Sequence, residues 1–336
     1  MQSTAPTQVL QVSCLDVLEP DVQSVTREVA GSQFHIRFAQ STAAEEQFAL
    51  ARQSDFLLVG PTPVTAALIT HCQRVRLIQK YGVGLDKIDV DAARRAGIPV
   101  AIAAGANAAP VSELALALML AVGRRMMFAD RLTRAGRWPR AVMRSTCYQL
   151  DGKTVGLLGF GAIARQTARR LAGFDVQVLY HSHRRADAAT EQSLRASAVP
   201  LDELLARSDI LSLHVPLTPL THHLIDAAAL RRMKPGAILI NTARGAVVDE
   251  AALYEALVSG HLRGAGLDVF ESEPPRPDHP LFQLDSVVVL PHAGGGVFDN
   301  VPRVMGHAFG NMRKVLAGQA LPAADVVVAS PGMAAV

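Results

Sequence analysis

Short apolar runs rich in β-branched residues recur along the chain, separated by roughly 10–20 residues at helical spacing. Val9–Val12, Phe56–Val59, Leu77–Gln79, Thr154–Leu158, Val176–Tyr180, Ile210–His214, Ala237–Asn241, Gly264–Asp268 and Val287–Leu290 read as strands. Such alternation argues for an α/β protein with parallel sheets built from βαβ units. One series fills the first hundred residues and another runs from Thr154 to about Pro291. Between them, Pro110–Arg134 reads as one long helix with Pro110 near its start. From about Asp299 the chain reads as a further long helix and a Pro/Ala tail, ASPGMAAV, expected to fray. The longest apolar run, Leu114–Val122, is about half of what a bilayer needs, so no membrane partner is expected. The opening MQSTAPTQVLQV lacks a basic stretch before an apolar one, so no secretory signal is expected.

Composition narrows this picture. A length of 336 residues suggests two domains, and 49% hydrophobic against 19% charged residues supports a large core rather than disorder. Lys plus Arg is 33 and Asp plus Glu 30, a net charge of +3. That balance is too even for a dedicated nucleic-acid binder. Cys14, Cys72 and Cys147 lie far apart without a CxxC pair. Neither a disulfide scaffold nor a zinc module is indicated, and a reducing, cytoplasmic setting is expected.

Thr154–Leu158 leads into Gly159-Phe160-Gly161-Ala162-Ile163-Ala164 and then the helical run Arg165–Leu171. This strand, glycine turn and helix form a dinucleotide-binding pattern. Gly159 allows the tight turn, Gly161 lets a pyrophosphate approach the backbone, and Ala164 lets the helix pack on the strand. An NAD site usually carries an acid at the end of the next strand, on the ribose 2′-hydroxyl. Here Tyr180 is followed by His181, Ser182, His183, Arg184 and Arg185, with no acid. Two guanidinium groups attract a 2′-phosphate. NADP(H) is therefore expected over NAD(H), although the same arginines also suit a solvated turn. His181 and His183 have no apparent third ligand, so no metal is expected.

Three further segments carry Arg244, Glu273 and His292, each at a strand's carboxyl end, where open α/β sheets bind ligands. They read INTARGAVVDE, GAGLDVFESEP and PHAGG. An arginine can grip a substrate carboxylate bidentately and polarise an adjacent carbonyl. A histidine can exchange a proton with the resulting oxygen, and a glutamate on that histidine favours the imidazolium.

With these residues in view, the chain resembles the D-isomer-specific 2-hydroxyacid dehydrogenases over nearly its whole length. Tyr81-Gly82-Val83-Gly84-Leu85-Asp86-Lys87-Ile88-Asp89 is similar to that family's substrate loop. Asn107, Val111 and Glu113, and His214-Val215-Pro216-Leu217-Thr218 with Thr221, match two more of its segments. The resemblance implies two doubly wound parallel-sheet domains. A Rossmann nucleotide domain, 108–298, is inserted into a flavodoxin-like substrate domain, 1–107 plus 299–336, with the active site in a cleft that closes against water. It implies that Arg244, Glu273 and His292 are catalytic. The amides of Val83 and Gly84, with Arg244, hold the substrate carboxylate. Asp268, His292 and Gly294 meet the nicotinamide end. Val215, Pro216 and Thr242 line the cofactor cleft, and Asn107, Val111, Phe160, Ala162, Ile163, Thr221 and Ala243 complete it. Region 110–140, with Trp138, resembles a dimerisation arm, so a homodimer is expected. Ser182 and Ala164 depart from the acid and the third glycine of NAD-dependent members.

The expected reaction is hydride exchange between NADP(H) and a small 2-oxoacid or D-2-hydroxyacid, with glyoxylate or hydroxypyruvate favoured. Alternatives are 3-phosphoglycerate, which wants a basic cluster such as Arg52, Lys80 and Arg74 or Arg76, and phosphite or formate. No regulatory domain is expected after residue 336, which would count against the long phosphoglycerate enzymes. A reading of another class is a dinucleotide-sensing, corepressor-like binding protein.

Overall fold

A computed structural model describes residues 9–329, so most of the ASPGMAAV tail lies outside the described residues. Strands follow in chain order: β1 (Leu10–Cys14), β2 (Phe34–Phe38), β3 (Phe56–Val59), β4 (Leu77–Lys80), β5 (Val100–Ala101), β6 (Thr154–Leu158), β7 (Gln177–His181), β8 (Ala196–Ala198), β9 (Ile210–Leu213), β10 (Ala237–Asn241), β11 (Leu262–Leu267), β12 (Val287–Val289) and β13 (Val326–Val328). They form two sheets, ordered β13-β5-β4-β3-β1-β2 and β12-β11-β10-β9-β6-β7-β8. Every pairing is parallel except β13 on β5. The chain accordingly divides into two compact units, one through Asn107 resuming at Val297, the other Ala108–Gly296.

β3, β9 and β10 are buried along their whole length, as their largely apolar sequences require in a sheet covered on both faces. Each unit carries a separate core on either face of its sheet. In the first unit the helix Val301–Leu316 buries Met305, Ala308, Phe309 and Met312, a stripe at helical spacing, into one of these cores. Short helices begin at aspartates whose carboxylates take the free amides of the first turn: Asp89 on Ala92, Asp226 on Ala229, Asp249 on Ala252.

Two expectations need correction. The helix expected over 110–134 is two helices, Ala108–Gly123 and Met126–Arg134. Arg125 turns left-handed between them (φ 49°), and the Gly123 carbonyl accepts from the Tyr148 amide instead of continuing the helix. The C-terminal segment is not helix and tail alone. After Gly318, itself left-handed at φ 65°, it returns to the sheet as β13. Asp325 fastens that return, accepting from the Ala104 amide (3.1 Å), His307 Nε2 (2.6 Å) and Asn311 Nδ2 (3.0 Å).

Candidate active site

In the inserted unit β10, β11 and β12 are neighbours and parallel, so the segments that follow them leave from one edge. Asn241 ends β10 and shapes the next turn. Its Oδ1 accepts from the Ala243 amide (3.0 Å) and its Nδ2 donates to the Arg244 carbonyl (2.9 Å). Gly245 follows because a side chain there would run into the Phe270 backbone. Arg244 is thereby fixed in backbone position beside the segment after β11, half-buried, with Nη1 donating to the Ala243 carbonyl (2.6 Å).

Asp268, 1% exposed, sits at the end of β11. Its two oxygens accept from the amides of Ala293 (2.7 Å) and Gly294 (2.9 Å), while its carbonyl accepts from the His292 amide (2.7 Å). Burial pushes this carboxyl up from the ordinary range, against the pull of those two N–H groups. The turn so clamped holds His292 left-handed, φ 56°, a conformation that surrounding structure must impose on a non-glycine residue. Gly294 is needed at the end of the turn, since a Cβ there would lie 3.0 Å from Asp268 Oδ2.

The imidazole of His292 meets Glu273 across 2.8 Å, Nδ1 to Oε2. Glu273 Oε1 also accepts from the Phe270 amide (3.2 Å), which orients the carboxylate. A carboxylate at Nδ1 requires an N–H there, which leaves Nε2 to carry or take a proton. The histidine is the more open partner, 46% exposed against 25% for the glutamate side chain. The arrangement therefore offers a cation for an anionic group and an exchangeable proton on a histidine backed by an acid.

The glycine turn lies on the same sheet. Gly159 has φ 95°, and a Cβ there would sit 2.5 Å from the His214 carbonyl oxygen. At Gly161, cap of the helix Ala162–Leu171, an added Cβ would meet nothing within 4 Å. Ala162 and Ile163 form the first turn of that helix, whose amides suit phosphate. Thr242 is buried and its Oγ1 has no hydrogen-bond partner among the described residues. Open space at Gly161 and an orphaned hydroxyl at Thr242 fit a dinucleotide. Val215 packs against Gly159, and the half-buried His214 beside it is pulled down to about 4 by desolvation, so it stays neutral at physiological pH.

Other sequence candidates take different places. Phe160 is buried and stacks on Tyr180, with centroids 3.8 Å apart, so its ring belongs to the core. Val111 is buried beneath Gly294, and Ala243 is buried in the turn. The Thr221 hydroxyl donates to the Pro216 carbonyl (2.6 Å) and accepts from the Thr218 amide (2.8 Å), which makes it a loop-former. Ser182 is half-buried, His183 and Arg184 are exposed, and Arg185 is bound by Glu191. Sequence reasoning missed Glu191, Asn241 and the clamping role of Asp268, because each acts on backbone or neighbours rather than within a motif. His181 Nδ1 meets the Val199 carbonyl, and no cluster suited to a metal occurs among the described residues.

In the first unit, Val83 and Gly84 follow β4 in a half-buried loop braced by Ile88 on the Leu85 carbonyl and Val64 on the Lys87 carbonyl. Neither of their amides donates a hydrogen bond among the described residues. Asn107 carries a buried Oδ1 without a partner there. The basic residues considered for a phosphate are dispersed or engaged. Arg74 pairs with Asp55 (3.1 Å), Arg52 Nε meets His71 (3.3 Å), and Lys80 Nζ donates to the Gly60 carbonyl (2.5 Å). Arg74 and Arg76 precede β4, at the opposite end from the Val83–Gly84 loop.

Comparison with known proteins agrees with this geometry. Residues 116–294 match the family model described as D-isomer specific 2-hydroxyacid dehydrogenase, NAD binding domain. A glyoxylate reductase of Korarchaeum cryptofilum (strain OPF8) is 44% identical over 245 residues, 72% of this chain and 73% of that one. A D-3-phosphoglycerate dehydrogenase of Mycobacterium bovis is 40% identical over 293 residues, 87% of this chain but only 55% of that longer protein. Among solved structures, a glyoxylate reductase from Paecilomyes thermophila superposes with a TM-score of 0.83 at 29% identity, covering 95% of this chain and 98% of the other. No helix among the described residues is long and apolar enough to cross a membrane. With the dinucleotide turn, the clamped His292–Glu273 pair and these likenesses together, the chain belongs to the D-isomer specific 2-hydroxyacid dehydrogenases.

Proposed function

We propose that this enzyme reduces a small 2-oxoacid, glyoxylate or hydroxypyruvate, with NADP(H) as the preferred dinucleotide. The observation that carries the reading is the His292–Glu273 pair, 2.8 Å, on a turn clamped by Asp268 at the edge that also bears Arg244. Arg244 and the amides of Val83 and Gly84 hold the substrate carboxylate. Arg244 also polarises the carbonyl, a stabilisation that grows as oxygen gains charge. The bound dinucleotide supplies the hydride. His292 gives its Nε2 proton to the developing alkoxide, and Glu273 on Nδ1 holds the ring in orientation for that transfer. Gly159, Gly161 and the helix start at Ala162 and Ile163 hold the pyrophosphate, with Thr242 toward the nicotinamide ribose. Glyoxylate reductase is the name of the relative cited from Korarchaeum cryptofilum. The dispersal of Arg52, Arg74 and Arg76 supports a small acid over a phosphorylated one. Neutral Ser182 and exposed Arg184 support NADP(H). Exposed Met126, Met127 and Trp138 support a homodimer through this region, and three free cysteines support a reducing cytoplasm.

The test is NADPH and NADH oxidation by the purified chain with glyoxylate, hydroxypyruvate, pyruvate, phenylpyruvate and 3-phosphohydroxypyruvate. Turnover is expected with the first two and NADPH. An NADH preference removes the dinucleotide assignment alone, whereas tight dinucleotide binding without turnover on any acid replaces the enzyme by a sensor.

A further inference from the structure

The turn after β7 should offer two free arginines to a 2′-phosphate, but three donors converge on one carboxylate there. Glu191, in the short helix Ala188–Leu194, accepts at Oε1 from the Tyr180 hydroxyl (2.6 Å) and from Arg185 Nε (2.9 Å). Its Oε2 accepts from an Arg185 terminal nitrogen, also at 2.9 Å. The Arg185 contact is the bidentate fork that holds a guanidinium most firmly. The Glu191 side chain is only 14% exposed although that of Arg185 is 72% exposed. These donors hold the Glu191 carboxyl at about 2, so it is charged wherever the enzyme works.

The same cluster reaches the glycine turn. The Tyr180 hydroxyl accepts from the Ala186 amide (3.0 Å), closing the 182–186 turn on itself. The buried Tyr180 ring stacks on Phe160, the residue between Gly159 and Gly161. Asp187 adds a second carboxylate at the helix start, taking the Thr190 amide (2.9 Å) and hydroxyl (2.7 Å). The acid absent from the end of β7 is thus present in space, delivered from the following helix and facing Arg185 rather than a ribose.

We propose that Glu191 sets dinucleotide specificity by holding Arg185 away from a 2′-phosphate, which leaves Arg184 as the cation that meets one. Arg184 is exposed and makes no hydrogen bond among the described residues. A phosphate that drew Arg185 over would strip the Glu191 carboxylate of its fork and would bring two anions together. Glu191 is in this sense a brake on NADP(H) preference. The inference rests on assigning the 182–187 turn to the adenosine ribose, as the proposed function does.

The experiment measures kcat/KM for NADPH and for NADH in the wild type, in Glu191→Gln and in Glu191→Gln/Arg185→Ala. Glutamine keeps the shape and still accepts from the Tyr180 hydroxyl, but it no longer neutralises Arg185. The ratio of NADPH to NADH is expected to rise about fivefold or more in Glu191→Gln, the worth of one exposed charge pair. Removing Arg185 in that background is expected to return the ratio to the wild-type value. An unchanged ratio in Glu191→Gln overturns the proposal, because a purely structural role weakens both dinucleotides alike. A gain that survives loss of Arg185 overturns it as well. Dissociation constants for NADPH and NADH, read by their own fluorescence, give the same ratio if a variant turns over poorly. The wild-type ratio by itself tests NADP(H) preference, so that reading can fail while the rise in Glu191→Gln stands.

Discussion

In the inserted unit the strand order reverses between β6 and β9, and in the first unit it reverses between β1 and β3. Such a reversal opens a crevice at the carboxyl ends of the strands. In the inserted unit the crevice is lined by Gly159 and Gly161, with free space over Gly161. In the first unit the chain fills it. Asp16, 3% exposed, accepts from the amides of Gly60 (2.5 Å) and Thr62 (2.8 Å) and from the Tyr81 hydroxyl (3.0 Å). The Tyr81 ring occupies the place a side chain on Gly60 would need. Burial, with the charge of Asp16 beside it, pushes the Tyr81 phenol well up, so it remains a donor to that carboxylate. Amides at this switch point are taken by an internal carboxylate. The same topology thus yields a ligand site or a sealed one according to which side chains stand at the switch point.

The largest effect that sharpens this contrast is expected at His292. His292→Ala should lower kcat by about 10²–10⁴-fold, the usual worth of a positioned proton donor, and leave dinucleotide binding intact. Single-turnover NADPH oxidation and a fluorescence titration measure the two quantities. Near-normal turnover would remove His292 from the chemistry. In the first unit, Asp16→Ala orphans three donors, each costing about 1–3 kcal/mol when unpaired and buried, offset where water enters. A net loss of about 2–4 kcal/mol is expected in denaturant unfolding. Tyr81 opens the Val83–Gly84 loop, which the proposed function gives to the substrate, so on that proposal the KM for the oxoacid should rise too while the dinucleotide dissociation constant holds. Unaltered stability would mean that Asp16 does not seal the crevice.

The contrast also explains what could be read from the chain. Interior strands such as β3, β6 and β10 coincide with their apolar runs, because burial on both faces favours apolar side chains at nearly every position. The strands that escaped are short or marginal. β2, β8 and β13 are sheet edges, and β5 has two residues. β2 alternates buried and exposed positions, FHIRF, so it shows no continuous run. Glycine turns and the Arg, Glu and His motifs were legible because a ligand or a reacting group restricts residue type at fixed spacing. Asp16, Glu191 and Asp325 were not. Each closes a contact with residues distant in sequence or on another element, and a lone aspartate or glutamate has no local signature for that. Arg185 shows the cost: by sequence it is a cation awaiting a phosphate, and in the fold it already has its anion.

The mildest test compares two glycines. Gly161 has ordinary backbone angles, φ −76° and ψ −167°, which a β-branched residue adopts without strain. Gly161→Val should therefore fold, losing at most about 1 kcal/mol at the helix cap. The valine methyls would occupy the space a pyrophosphate needs. Crowding of that kind costs about 1–3 kcal/mol, so the NADPH dissociation constant should rise about tenfold or more. Gly60→Ala makes the opposite trade in the other unit, since its methyl meets the Tyr81 ring instead of open space. It should lower the melting temperature and leave NADPH affinity unchanged. If Gly161→Val leaves affinity intact, the space over Gly161 is not where phosphate binds, and the two crevices differ in packing alone.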